Sequence, residues 1–234
     1  MSLTVIKPGV LDLVQDTGRY GWQHLGINPG GAMDRWSAQV ANILVGNESN
    51  NGVLELHFPA GEFLFESPAL ITICGADFSP HINGEPVSCW QPVFVRQNSV
   101  LQFKGWKSGA RCYLAIEGGL LLERWLHSYS TNLKCGAGGY QGRALQKGDH
   151  IPYRSFDSNL SSFTPDKDFI VLPWKADRQW NKEEGDEILV MPGQEWDRLQ
   201  DESKTALQAQ EFIITQQSDR MGYRLDALMQ ANST

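Results

Sequence analysis

The sequence predicts a mainly β fold, and three observations carry that expectation. Apolar residues alternate with polar ones more often than they follow a helical period, as in Leu54-Glu55-Leu56-His57-Phe58. Strand-like runs return at roughly ten-residue spacing with turn signals between them, the pattern of a barrel or sandwich. Only two stretches carry a helical pattern, Asp34 to Val45 and a segment within Trp196 to Gln210.

The elements follow in chain order. The first helix is expected from Asp34 to Val45, with Trp36, Val40, Ile43 and Leu44 on one face, Asp34 as N-cap and Gly46 just past the end. The Leu54 to Phe58 strand comes next, then an apolar run from Ala69 to Cys74 that stops at Gly75. Asn83-Gly84 between short flanks reads as a tight hairpin turn with positive φ. Val93-Phe94-Val95, Val100 to Phe103 and Arg111 to Ile116 continue the series, and Gly118-Gly119 and Gly138-Gly139 mark turns or close backbone approach. Ser155 to Asp168, rich in Ser, Asp, Asn and Pro, reads as a linker between a β domain over 1–155 and a second part over 156–234. The charged stretch Asp177 to Glu187 reads as a solvated turn, and the second helix as polar and superficial.

Composition narrows the function classes. The formal net charge is −7 and no Lys/Arg cluster exceeds two residues, which argues against nucleic acid and against an anionic membrane surface. No apolar stretch approaches the roughly 18 residues of a membrane span, and Met1 to Gly9 lacks a signal-peptide pattern. A cytoplasmic location is expected, with Cys74, Cys89, Cys112 and Cys135 all reduced. The cysteines show no C-x-x-C spacing and no histidine at a ligand offset, so no metal site is expected. The chain contains no P-loop, G-x-S-x-G elbow, H-E-x-x-H or dinucleotide fingerprint. His24 and His57 read as structural, having no sequence-local partner.

Three polar clusters are denser than folding alone requires. The first joins Asp16 and Arg19 to Gly30, Gly31 and Asp34, glycines ahead of a helix start where backbone N–H groups can meet an oxyanion. It reads equally well as Asp34 capping, glycines turning and Asp16 pairing with Arg19. The second runs from Thr131 to Arg143 through Cys135-Gly136-Ala137-Gly138-Gly139-Tyr140, either a loop that lets backbone approach a ligand or a plain surface turn. The third is Ser218-Asp219-Arg220-Met221-Gly222-Tyr223-Arg224-Leu225, whose two arginines suit a carboxylate clamp or a structural ion pair. All three are expected to converge on one cleft.

The same clusters carry a family resemblance. Val14 to Gly21, Gly30 to Asp34, Ala41 to Asn47, Gly75-Ala76-Asp77, Tyr113 to Gly119, Ser128 to Thr131, Gly138 to Leu145 and Ser218 to Leu225 follow one another in order. Together they resemble the C subunit of bacterial ATP-dependent 5-oxoprolinase, the family also described as biotin-dependent carboxyltransferase or allophanate hydrolase subunit 2. The resemblance implies a cyclophilin-like β-barrel with a few short helices. It implies ATP-dependent opening of the 5-oxoproline lactam to L-glutamate, together with two partners: a smaller protein homologous to a histidine-kinase inhibitor, and a protein of the lamB/YcsF type. ATP would bring Mg²⁺. Two alternatives come with it: a non-catalytic antagonist of the kinase inhibitor, and a carboxyltransferase on a urea-like amide that receives carboxybiotin from another polypeptide.

Roles are assigned on that resemblance. Asp16, Asp34, Asp219 and Arg220 form the expected catalytic set. Arg19, Gly30, Gly31, Thr131, Arg143, Ser218, Tyr223 and Arg224 form the expected substrate-binding set. Arg220 and Arg224 would hold a carboxylate or phosphoryl group while Asp16 or Asp34 orients water. Family members continue past Leu225 with further strands. A barrel lacking them would expose an edge, to be covered by self-association, by the kinase-inhibitor homologue or by a rearranged C-terminus.

Overall fold

Two antiparallel six-stranded sheets face each other across an apolar core in a computed structural model that describes residues 1–154, 167–177, 188, 190–220, 222–227 and 230. The first sheet runs, edge to edge, β11 (His150–Pro152), β1 (Ser2–Lys7), β4 (Glu62–Phe65), β9 (Ser99–Phe103), β6 (Pro80–Ile82), β7 (Glu85–Pro86). The second runs β12 (Phe169–Val171), β8 (Pro92–Val95), β5 (Ala69–Asp77), β10 (Ser108–Ile116), β3 (Val53–Leu56), β2 (Leu13–Gln15). Every strand pairing among the described residues is antiparallel. The expected mainly β class is what the chain adopts.

Period-two side chains build the core. Leu3, Phe63, Phe65 and Leu101 of the first sheet meet Leu54, Leu56, Ile71, Ile73 and Leu114 of the second, all fully buried. Each such aliphatic or aromatic side chain contributes roughly 1.5–3 kcal/mol on burial. The Asn83-Gly84 turn joins β6 to β7 as expected, with φ of 48° and 94°. Positive φ at both central residues matches the twist of the two strands.

The helix α1 (Arg35–Leu44) covers the outer face of the second sheet. Asp34 caps it by accepting from the Ser37 backbone N–H at 3.0 Å, and Gly46 (φ 78°) ends it. The Gly46 and Asn47 N–H groups return to the Ile43 and Asn42 carbonyls at 3.0 and 2.9 Å, a Schellman closure. The expected apolar face needs one correction. Ile43 is 60% exposed, and the buried side is Ser37, Ala38, Ala41 and Asn42, with Trp36, Val40 and Leu44 flanking it. Small residues lie at the contact because the helix backbone seats closely on the sheet beside Tyr113 and Ala115. The same cover turns β3 from a half-solvated strand into one buried on both faces, Glu55 included.

The chain forms two compact units, Met1–Asp177 and Arg178–Thr234, and both sheets belong to the first. Most of the Ser155 to Asp168 linker and of the Asp177 to Glu187 turn lies outside the described residues. Within the second unit, the helix α2 (Asp201–Ala209) buries only Ser203 among its residues, as expected of a superficial helix. Asp201 and Glu202 in its first turn suit the positive end of the helix dipole. Among the described residues, no helix is long and apolar enough to cross a membrane.

Candidate functional site

Asp16 follows β2 and is 6% exposed. A buried carboxylate must be satisfied by donors, and the chain supplies them from two loops. Oδ1 accepts from the Gly18 N–H at 2.8 Å, the Ser128 hydroxyl at 2.7 Å and the Ser130 hydroxyl; Oδ2 accepts from the Tyr129 N–H at 2.6 Å. The Ser130 Oγ in turn accepts the Asp16 N–H at 3.1 Å. Thr131 completes the join, its N–H and hydroxyl both donating to the Val14 carbonyl at 3.0 and 2.9 Å. The first two sequence clusters are therefore brought together.

Arg19 lies beside this knot at 1% exposure. It forms no ion pair with Asp16; the two share Ser130, whose hydroxyl serves Asp16 and whose carbonyl accepts from Arg19 Nη2. The guanidinium carbon sits 4.5 Å from the centroid of the Trp125 ring. Burial pushes the Arg19 pKa down, opposed by the nearby Asp16 and Cys135. The Arg19 N–H donates to the Pro29 carbonyl at 2.7 Å, and the Ala32 N–H to the Asp16 carbonyl at 2.8 Å. Residues 20–28 thus form a loop with a closed neck. Gly31 packs against the backbone at Gly18, where an added Cβ would come within 2.9 Å of the Gly18 nitrogen.

Trp125 is aimed by a tight turn. Its N–H and carbonyl exchange hydrogen bonds with Ser128 at 2.9 and 3.2 Å, while Leu126 and His127 both take positive φ, 51° and 63°. Such backbone strain in non-glycine residues persists only where surroundings enforce it. Here the enforcing contacts are the Ser128–Asp16 bond and a stack of His127 on Trp22, centroids 6.4 Å apart. Residues 122–125 and the glycine-rich 136–142 line an open cleft of about 560 Å³. Gly138 (φ 70°) forms its inner wall; a Cβ there would strike the Ser130 carbonyl and approach Arg19 Nη2 to 3.1 Å.

The remaining expected residues take other places. Asp34 is the helix cap, its carboxylate bonded to the Ser37 N–H and hydroxyl. The N–H groups before the helix, which the sequence offers to an oxyanion, are engaged: Met33 donates to Glu55 Oε2 at 2.8 Å and Asp34 to the Tyr113 hydroxyl at 2.7 Å. Tyr113 donates to Glu55 Oε2 at 3.0 Å, and its burial drives its own pKa up. Arg143 clamps Asp149 in bidentate fashion at 2.7 and 2.8 Å and also donates to Gln141 and Ala144. That clamp holds the Asp149 carboxyl below its usual range and anchors the end of the glycine-rich loop. Gly30 sits beside Arg19, where an added Cβ would stand 3.4 Å from Nη1.

Ser218 to Arg224 belongs to the second unit and forms the tip of a small hairpin there. Ser218 Oγ accepts the Arg224 N–H at 2.8 Å, Asp219 and Gly222 exchange backbone bonds at 3.1 and 3.2 Å, and Tyr223 is 60% exposed. Arg220 and Asp219 lie at that turn.

Sequence reasoning passes over Trp125 and the Leu126–His127 turn, because neither residue at positive φ is a glycine or asparagine. Among the described residues, no three His, Cys, Asp or Glu side chains gather as metal ligands.

Comparison with known proteins assigns this two-sheet β architecture to a domain of the carboxyltransferase class. The chain belongs to the family of the carboxyltransferase domain, subdomain A and B, whose model matches residues 25–233. It is 30% identical over 232 residues to the C subunit of 5-oxoprolinase from Escherichia coli, covering 99% of this chain and 71% of that one. It is 33% identical over 161 residues to urea amidolyase of Saccharomyces cerevisiae, covering 68% of this chain and 9% of that one. The crystal structure of the K. lactis urea amidolyase superposes with a TM-score of 0.79 at 27% identity, over 97% of this chain and 14% of that one.

Proposed function

We propose that the chain is one component of an ATP-dependent 5-oxoprolinase that opens the 5-oxoproline lactam to L-glutamate together with two partners, a kinase-inhibitor homologue and a lamB/YcsF-type protein. The observation that carries this reading is the likeness of 99% of this chain to 71% of the 5-oxoprolinase C subunit, joined to a cleft lined in part by the Gly138 to Gly142 stretch that carries the resemblance. Amide resonance makes a lactam carbonyl a poor electrophile, so the ring must be held and polarised before water attacks. In this chain the cleft between residues 122–125 and 136–142 supplies the holding surface. Asp16 acts as a positioning residue, since its oxygens fix Ser128, Tyr129 and Ser130 and through them Trp125. Arg220 and Arg224 are assigned to the substrate or phosphoryl charge, on the strength of the family blocks.

Reconstitution tests the proposal. The chain is copurified with a candidate kinase-inhibitor homologue and a candidate lamB/YcsF-type protein, and ATP hydrolysis is measured with and without 5-oxoproline. Hydrolysis that needs 5-oxoproline and all three chains is expected. Tight binding to the kinase-inhibitor homologue without turnover would replace the enzyme by an antagonist of that inhibitor. A second reading is supported by the carboxyltransferase family model and the urea amidolyase structure: transfer of a carboxyl group from carboxybiotin to a urea-like amide. Carboxylation of urea with a biotin-carrying partner, and no response to 5-oxoproline, would favour it.

A further inference from the structure

We infer that the glycine-rich wall of the cleft, residues 138–141, is a main-chain site for one amide oxygen, held on N–H groups that the fold leaves unused. The inference rests on taking the cleft as the substrate site. It is common to the lactam and the urea-like readings, because both substrates present an amide carbonyl. Gly138, Gly139, Tyr140 and Gln141 all line the cleft, and no acceptor among the described residues takes any of their four N–H groups. The flanking donors are used inside the loop: Ala137 donates to the Asn132 carbonyl at 3.2 Å and Gly142 to the Gly138 carbonyl at 2.8 Å. Gly138, Gly139 and Tyr140 are half-buried, where an unmet backbone N–H is uncommon.

Side chains do not stand in front of these groups. A Cβ on Gly138 would strike the Ser130 carbonyl, and one on Gly139 the Thr131 hydroxyl. The Tyr140 ring lies 5.5 Å from the Arg143 guanidinium carbon, and Gln141 Oε1 accepts from Arg143 Nη2 at 2.9 Å. In each case the side-chain direction is taken up by protein, so the surface turned to the cleft is main chain. The wall is also stiff. Gly138, Gly139 and Gln141 sit at φ of 70°, 56° and 55°, the glutamine in a region that a residue with a side chain rarely adopts. Arg143, itself clamped on Asp149, holds it there. Donors fixed before a ligand arrives cost little to order on binding.

Charge decides between a neutral oxygen and an anion, since successive N–H groups suit either. The cleft lining carries one cation and one anion, Arg124 and Glu123. The wall is backed by a second such pair, Arg19 near Gly138 and Asp16 bonded to Ser130. Neither pair leaves an excess charge, so the fit is to a neutral carbonyl oxygen. A cleft of about 560 Å³ admits a five-membered lactam or a urea group.

The donors are main chain, so the wild-type chain is the one to test, by amide NMR. The probes are 2-pyrrolidinone, pyrrolidine-2-thione, cyclopentanecarboxylate and inorganic phosphate. 2-Pyrrolidinone is expected to move the amide resonances of residues 138–141. It should bind about fivefold or more tightly than the thione, whose sulfur is the poorer acceptor and leaves roughly one hydrogen bond unmade. No movement at those four amides, equal binding of lactam and thione, or larger movement with cyclopentanecarboxylate or phosphate than with 2-pyrrolidinone overturns the inference. The outcomes separate the two proposals. 2-Pyrrolidinone bound at the wall, in a chain whose reconstituted complex ignores 5-oxoproline, keeps the site and sinks the 5-oxoprolinase reading. Turnover of 5-oxoproline by the complex, with those amides unmoved by 5-oxoproline and by 2-pyrrolidinone, does the reverse.

Discussion

Asp12 is 1% exposed and holds two loops together, its Oδ2 accepting the Gly9 and Gly61 N–H groups at 2.8 and 2.9 Å. Burial pushes its carboxyl up to about 6 against these bonds, from an unfolded value of 3.8. A carboxyl raised on folding favours the folded state while it is protonated. That contribution is complete below pH 3.8 and is lost as pH rises through 6. A shift of this size corresponds to about 3 kcal/mol withheld at neutral pH. Asp12→Asn keeps an oxygen for both N–H groups without the charge, so it should match or exceed wild-type stability in urea at pH 7 and flatten the profile between pH 4 and 6. Asp12→Ala should lose about 1–3 kcal/mol by stranding the two donors. A loss at pH 7 as large for Asp12→Asn as for Asp12→Ala would show that the charge is needed. Nothing local to the Gly9 to Leu13 stretch announces this residue, since its burial comes from a loop 49 positions away. Asp16 and Arg19 are different: their dense polar surroundings in the sequence do mark them, but their common partner Ser130 lies more than a hundred positions on.

At the scale of the element, α1 shows what local pattern reports and what it leaves out. Its ends follow from chemistry carried in the chain itself, an Asp at the cap and a Gly at the Schellman position. Its buried side does not, because the closeness of the sheet, and not apolar periodicity, sets which residues fit. Asp34→Ala should cost about 1 kcal/mol and Asp34→Ser should recover most of it, read as shifts in urea midpoint. Asp34→Asn separates capping from chemistry: retained stability with lost activity in the reconstituted complex would make the carboxylate part of the reaction, and retention of both would leave it a cap. The Asn83-Gly84 hairpin is the opposite case, fully readable from two residues.

For the whole molecule, the mainly β, antiparallel class is readable from alternation and turn spacing, which leave barrel and sandwich open, whereas the division into two six-stranded sheets and their strand order are not. Glu55, the polar member of an alternating strand, is fully buried, with Tyr113 and Met33 supplying its donors from the side that α1 covers. The sequence reading passes over β1 and β4, although Leu3 and Val5 of β1 and Phe63 and Phe65 of β4 alternate in burial with their neighbours. Stability should be distributed unevenly between the units. Native-state hydrogen exchange is expected to be slowest at the paired amides of β5 and β10, where Cys74, Cys112 and Leu114 are fully buried. The 213–226 hairpin, with Ile213 70% and Tyr223 60% exposed, should exchange far faster. Equal protection in the two regions would show that they unfold as one cooperative body.

The closed neck at Arg19 and Pro29 has a practical side. Residues 20–28 leave and rejoin the molecule at one backbone hydrogen bond, with Tyr20 and Leu25 more than half exposed. Loops of this kind are packed by their own side chains and tolerate added length at small entropic expense. Position 26, a glycine already in the left-handed region, is therefore a natural port for a peptide tag or a fluorophore. Because Trp22 in the same loop stacks on His127 next to the cleft wall, a label placed there would also act as a gauge, registering ligand arrival without touching a residue assigned to binding.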